Sequence, residues 1–275
     1  MKVASTLLTP LLLALSQALA ALPLHAQMLT PEDAVVAELL PGWRLADGRH
    51  MTALRLRLAP GWKTYWRAPG EGGIAPRLTW EGSENLAQVI EHWPRPDIYR
   101  IAGLQSLGYE HELVLPLEIV PQDKGRPVAL RATADIGVCE RICMPVSLQL
   151  AAALDADGPR DMRILAALDR APVSSAAASV EVISCRLAPI ADGLRVTAEF
   201  AVPGEATMAT EAAVFELPGS DLWIGTAELR RAPGRLVAEA DILGGAGALA
   251  LDRSQMRITL IAADSAVEIS GCRSR

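Results

Sequence analysis

Residues 128–150 read VALRATADIGVCERICMPVSLQL, and their pattern decides the fold. Val128, Leu130, Ala132, Ala134, Ile136 and Val138 share one parity, with Arg131, Thr133 and Asp135 between them. Alternation of this kind marks a strand with one buried face. Met144, Val146, Leu148 and Leu150 repeat the pattern on the way back. Glu140, Arg141 and Ile142 are left as a three-residue hairpin loop, with Cys139 and Cys143 opposed at its neck. Val138 and Met144 take buried-face positions, so both cysteines are expected to point away from the core. Directly opposed Cβ atoms lie ~4.5–5.5 Å apart, close enough for a disulfide.

The same alternation recurs outward. His50–Leu58 places Thr52, Leu54, Leu56 and Leu58 on one face, and Glu112–Val120 does so with Leu113, Leu115, Leu117 and Ile119. Further on, Val180–Ile183, Leu194–Val202, Ala212–Leu217, Arg235–Ile242 and Arg257–Ile261 are strand candidates separated by Pro, Gly and Asp. Short alternating strands with turn signals predict an all-β chain of sandwich type. Residues 27–154 hold Trp43, Trp62, Trp66, Trp80 and Trp93, whereas 179–275 hold Trp223 alone. Between them, 155–178 is rich in Asp, Ala, Ser and Pro, with a short helix expected over Asp161–Arg170. The reading is a first β domain at 27–154, a linker at 155–178 and a second, smaller β-sandwich domain at 179–275.

The N-terminus decides the compartment. Lys2 precedes an apolar run from Val3 to Leu24, and small residues at Ala18, Ala20 and Ala26 offer cleavage points. Residues 1–26 read as an export signal. No later segment approaches the ~20 apolar residues of a membrane-spanning helix, so the mature chain is expected to be soluble and extracytoplasmic. A net charge of -6 and a pI of about 5.3 give no electrostatic footprint for nucleic acid.

The chain has 4 cysteines, and an even count in an exported protein favours disulfides. Spacing pairs Cys139 with Cys143 and leaves Cys185 with Cys272. The second bridge would close a long loop, contributes on the order of 4 kcal/mol in the entropy model, and reads as structural. The first closes so short a loop that stapling is a poor reason for it, and electron exchange is a better one. Glu140 and Arg141 offset each other beside it and no helix start is apparent, so thiols of near-normal acidity are expected. Such a pair accepts attack more readily than it initiates one. Soft thiolates also suit copper(I), with Met144 adjacent, although core packing is the simpler role for that methionine. His50, His92 and His111 have no ligand spacing and read as surface or turn residues, and Gly70–Gly73 reads as a turn. Trp62, Tyr65 and Trp66 read as core and strand-edge packing.

Several motifs resemble one family. Gly61-Trp62-Lys63-Thr64-Tyr65-Trp66-Arg67-Ala68-Pro69-Gly70, then Gly73, Pro76 and Trp80, are similar to the opening of the periplasmic N-terminal domain of DsbD-type thiol:disulfide interchange proteins, in particular the ScsB-like branch associated with copper tolerance. Trp93-Pro94-Arg95-Pro96, Gly108-Tyr109-Glu110, Leu115-Pro116-Leu117 and the Val138-to-Pro145 segment continue the likeness, which spans about residues 40–152. The resemblance implies an immunoglobulin-like sandwich whose Cys139/Cys143 pair takes electrons from a thioredoxin-like, membrane-linked donor and reduces periplasmic disulfide-bearing proteins, with no cofactor or metal. It implies that Cys143 is the sulfur attacked and Cys139 its resolving partner. It also implies a shielding loop at Ile101–Leu107, with Leu104 or Leu107 in the cap position and Tyr109, Glu140, Arg141, Met144 and Pro145 around the pair. The family's cysteines are more widely spaced and its cap residue is aromatic, which sets this chain apart. The alternative is a copper(I)-binding or partner-docking module.

Overall fold

The expected hairpin forms in full. A computed structural model describes residues 31–101, 103–154, 158–203, 209–220, 222–244 and 251–272. The predicted export signal at 1–26 lies outside them. Strands β9 (Val128–Cys139) and β10 (Cys143–Leu154) pair antiparallel from Cys139↔Cys143 to Val128↔Leu154 without a register shift. Val128, Leu130, Ala132, Ala134, Ile136 and Val138 are all buried, as their parity required. A slip of one residue would turn all six to the other face, so the hydrophobic pattern fixes this register.

Around that hairpin the first half of the chain builds two facing sheets. After helix α1 (Pro31–Ala34) come β1 (Val35–Arg44), β2 (His50–Leu58), β3 (Lys63–Tyr65), β4 (Arg77–Thr79), β5 (Leu86–Glu91), β6 (Asp97–Ile101), β7 (Leu104–Glu110) and β8 (Glu112–Pro121). One sheet runs β1-β2-β8-β5. The other runs β10-β9-β3-β7-β6, with β4 also paired to β9. Their inner faces bury Leu54, Leu56, Leu115, Leu117, Ile119, Trp62 and Trp66 in one core. His50, expected near the surface, is buried instead, with Nε2 2.7 Å from the Pro41 carbonyl oxygen.

The stretch expected as a linker is ordered where it is described. Helix α2 (Met162–Asp169) starts at Asp161, whose carboxylate accepts from the Arg163 N–H at 2.8 Å. Ile164 and Ala167 bury against Leu40, Trp43, Met51, Ala53 and Val114 on the outer side of the first sheet. The chain continues through β11 (Val173–Ser174), β12 (Glu181–Ile190), β13 (Gly193–Ala201), β14 (Thr210–Glu216), β15 (Trp223–Ile224), β16 (Glu228–Ala232), β17 (Arg235–Leu243), β18 (Arg257–Ala262) and β19 (Ala266–Ser270). These make sheets β11-β19-β18-β14 and β12-β13-β17-β15, with β16 on β17. The all-β expectation of a sandwich followed by a second β domain therefore holds.

The two halves share apolar and ionic contacts. Ala212, Ile261 and Ala266 join the core of the first sandwich. Arg67, 15% exposed, grips Glu216 with two bonds of 2.9 and 3.0 Å and Glu268 with one of 2.7 Å. Its guanidinium carbon lies 4.3 Å from the centre of the Trp66 ring. Bidentate pairing to one carboxylate with a bond to a second fixes geometry as well as charge.

Candidate disulfide exchange site

The site sits at the neck of the β9–β10 hairpin. Cys139 and Cys143 are register partners, bonded to each other, with Cα atoms 4.1 Å apart. Their surroundings are unequal. Cys143 is exposed, whereas Cys139 is 3% exposed. Both side chains leave the sandwich core, as parity demands, yet only one meets solvent.

The reason lies in strand β3. Three residues pair it to both β7 and β9, with Lys63 opposite Cys139 and Thr64 opposite Val138. Trp62 and Trp66 sink into the core on one parity, so Lys63 and Tyr65 take the face that carries the cysteines. The Tyr65 hydroxyl donates to Cys139 Sγ at 2.8 Å and stands 3.5 Å from Cys143 Sγ. Burial pushes the Tyr65 pKa above its ordinary value, so the hydroxyl keeps its proton and remains a donor.

A loop closes over the tyrosine. The Gly72 carbonyl oxygen lies 3.3 Å from the Tyr65 hydroxyl. Gly73 rests on the ring itself, where a Cβ would come within 2.8 Å of Tyr65 Cδ1 and 2.4 Å of Pro69 Cβ. Ile74 covers Gly137, two residues before Cys139 on the same strand face, where an added Cβ would meet Ile74 Cβ at 2.6 Å. Tyr65 thus covers Cys139, with Gly72 and Gly73 laid over Tyr65 and Ile74 over the neighbouring Gly137.

The family resemblance placed the shield at Ile101–Leu107, and the structure redistributes that role. Ile101 ends β6 and Leu104–Leu107 begin β7, a paired hairpin that backs the covering loop. The Gly72 N–H donates to the Gln105 carbonyl oxygen at 3.4 Å, and the Leu107 N–H donates to that of Pro69 at 2.8 Å. Leu104 is 49% exposed, with its Cβ 3.6 Å from where a Gly72 Cβ would stand. Leu107 and Tyr109 belong to the core, because alternate residues of a strand face inward, and the Tyr109 hydroxyl donates to the Pro94 carbonyl oxygen at 2.7 Å. Glu140 and Arg141 are exposed on the hairpin loop, their charges 3.8 Å apart. Pro145 is exposed opposite Gly137, and Met144 packs against the core on the face away from Cys143. Cys185 and Cys272 are bonded to each other and buried in the second half.

Sequence reasoning missed Tyr65, the covering role of 69–74, and Lys63. The Lys63 ammonium lies 4.6 Å over the Tyr99 ring and 3.8 Å from Glu110. The glycines at 70, 72 and 73, closely spaced after an aromatic strand, were the available signal for a backbone laid flat on a ring. Removing the hydroxyl tests its role. Tyr65→Phe is expected to raise the Cys139 thiol pKa in the reduced protein, because a hydrogen bond given to the thiolate favours the charged form. Thiolate absorbance against pH measures this, and an unchanged titration would leave the hydroxyl without electrostatic influence.

Comparison with known proteins matches residues 25–154 to the family described as thiol:disulfide interchange protein DsbD, N-terminal. No curated protein sequence matches the chain. Among solved structures, the N-terminal periplasmic domain of ScsB from Proteus mirabilis is similar at 22% identity and a TM-score of 0.62, covering 90% of this chain and 97% of that one. At that identity the likeness is one of fold. The Neisseria meningitidis DsbD n-terminal domain in its reduced form is 21% identical, covering 48% of this chain and 92% of that one, with a TM-score of 0.30. The complex between the DsbD N-terminal and PilB N-terminal domains from the same organism gives 21%, 46%, 87% and 0.27. Neither overlap is large enough to carry an argument about this chain.

Proposed function

Residues 25–154 are a DsbD-type N-terminal domain, and on that premise we propose that this chain is a periplasmic thiol–disulfide relay working through Cys139 and Cys143. The observation that carries the reading is the asymmetry of the bridge, one sulfur exposed and its partner covered and hydrogen-bonded by Tyr65. Disulfide exchange proceeds by attack of a thiolate along the bond, and access selects which sulfur receives it. Cys143 is the sulfur in reach.

In the accepting half-reaction, a thiolate of a thioredoxin-like, membrane-linked donor attacks Cys143 Sγ. The Cys139–Cys143 bond breaks and Cys139 leaves with the electron pair, stabilised by the Tyr65 hydroxyl. The donor's second thiol then attacks its own first sulfur, which frees Cys143 and leaves the donor oxidised. In the delivering half-reaction, Cys143 attacks a disulfide of an exported client, and Cys139 attacks Cys143 to release the client as a dithiol. Cys139 therefore resolves the client-side bond, because the same attack on the donor side would only restore the starting bridge.

A copper(I) role for the reduced pair has less support. The thioether of Met144 packs with the core on the opposite face. Among the described residues, no group of three or more His, Cys, Asp or Glu side chains is placed to hold a metal. The periplasmic setting draws support from the family, and no described helix is long and apolar enough to cross a membrane.

Equilibrating the full chain in a series of glutathione buffers tests the relay. A two-electron midpoint between about −120 and −270 mV, the span of exchange-active pairs, is expected for Cys139/Cys143. A pair that remains oxidised down to about −300 mV, as structural bridges do, would contradict it.

A further inference from the structure

The loop that covers Cys139 is held from behind by the second β domain. Its root, at Arg67, is fixed to Glu216 on β14 and Glu268 on β19. Its tip is Glu71, an exposed residue whose Oε1 accepts the Thr226 backbone N–H at 3.2 Å. Between these anchors the Gly72 carbonyl oxygen meets the Tyr65 hydroxyl, the group that donates to Cys139 Sγ. The chain of contact thus runs from Thr226 in the second domain to the buried sulfur in the first.

Behind the loop there is room. A cavity of about 500 Å³ lies between Pro69, Gly70 and Glu71 on one side and Phe215, Leu217 and Trp223 on the other. Neither cysteine lines it, nor does Tyr65, so the loop separates this cleft from the disulfide. A loop backed by packed core could lift only by disrupting that core. One backed by a cleft moves at the cost of its anchoring bonds, here those of Arg67 and Glu71 to the second domain and the backbone bonds of Pro69 and Gly72 to the β6–β7 hairpin.

We propose that the second β domain locks the covering loop, and that Glu71 is the positioning residue of the lock, holding the loop shut over Cys139 through the Thr226 N–H. The lock confines exchange to Cys143 until the loop is drawn back into the cleft. This rests on the reading of Cys139/Cys143 as the exchanging pair and adds a role for the second domain. Because Glu71 is exposed and makes one bond there, the effect is graded, with the closed loop predominating and open forms in reach of thermal motion.

The test uses the full chain, chemically reduced, freed of reductant and given a short pulse of iodoacetamide, with each cysteine-bearing peptide quantified by mass spectrometry. Cys143 serves as the internal reference. Glu71→Ala is expected to speed alkylation of Cys139 about fivefold, the order set by one exposed charge-assisted hydrogen bond, with Cys143 unchanged. Glu71→Gln keeps an acceptor oxygen and removes the charge, and should stay within about twofold of the parent. Thr226→Pro removes the donor from the other side and should match Glu71→Ala, the double variant opening no further than either single one. An unchanged Cys139 rate in Glu71→Ala would overturn the proposal. So would equal acceleration in Glu71→Gln, or acceleration of both cysteines together. These rates do not depend on any partner protein, so the lock can fail while the relay stands. A pair that resists the glutathione series removes the relay whatever the loop does.

Discussion

Cys139→Ser accumulates a covalent complex with a thioredoxin-like protein that keeps only its first active-site cysteine, carried as a mixed disulfide with glutathione, and Cys143→Ser does not. In the first variant the remaining thiol is the exposed one, free to attack a disulfide and form a mixed disulfide. Glutathione leaves as the thiol, and neither Cys139 here nor a second cysteine in the partner remains to resolve the bond, so the complex persists. In the second variant the remaining thiol is 3% exposed, below Tyr65, over which Gly72 and Gly73 are laid. Reactivity follows thiolate character and access together, and Tyr65 supplies the first while the cover withholds the second. The expected difference in trapping rate is at least about tenfold. Non-reducing electrophoresis with intact mass measurement reads it directly. Equal trapping by both variants would mean that the cover over Cys139 does not control exchange.

Breaking the other bridge has a different and larger consequence for stability. Cys185 lies on β12 in one sheet of the second domain, and Cys272 follows β19 of the other, 87 positions away. Both are buried, and Arg253 brackets them, donating to the Cys185 carbonyl oxygen at 2.8 Å and accepting the Cys272 N–H at 2.7 Å. Closing a loop of that length removes unfolded-chain entropy equivalent to about 4–5 kcal/mol, against about 2 kcal/mol for a loop as short as that of Cys139 and Cys143. Whole domains are stable by only about 5–15 kcal/mol, so the paired Cys185→Ala and Cys272→Ala variant should lower the unfolding midpoint steeply. Hydrogen exchange of peptides from β12 to β19 measures the loss where it occurs. A cost below about 1 kcal/mol would show that the sheets hold without the bridge.

How much of this was legible depends on whether burial was decided locally. In β9 the apolar parity and the buried face are the same fact, so the strand, its register with β10 and the opposed cysteines follow from residues 128–150. Helix α2 was readable from a local cap, Asp161, and an apolar stripe. The shielding of Cys139 was not, because alternation says which face a side chain takes and nothing about what lies over that face. Tyr65 reaches it from 74 positions away in sequence, on a three-residue strand too short to show a period, and Ile74 covers the neighbouring Gly137. The reading of Leu107 as a cap residue failed for a related reason. A segment taken as a loop is a strand, and its alternate side chains turn into the core. Arg67 stood in a recognised motif, but its partners Glu216 and Glu268 lie in a domain that carried no motif at all.

The central claim is that electrons enter this chain at one bridge and not at the other. Incubating the oxidised full chain with a reduced thioredoxin-like domain, alkylating every free thiol and mapping the label by peptide mass spectrometry tests it most directly. The account predicts label on Cys139 and Cys143, with Cys185 and Cys272 still joined. Label on Cys185 and Cys272, or none on the hairpin pair, would contradict it.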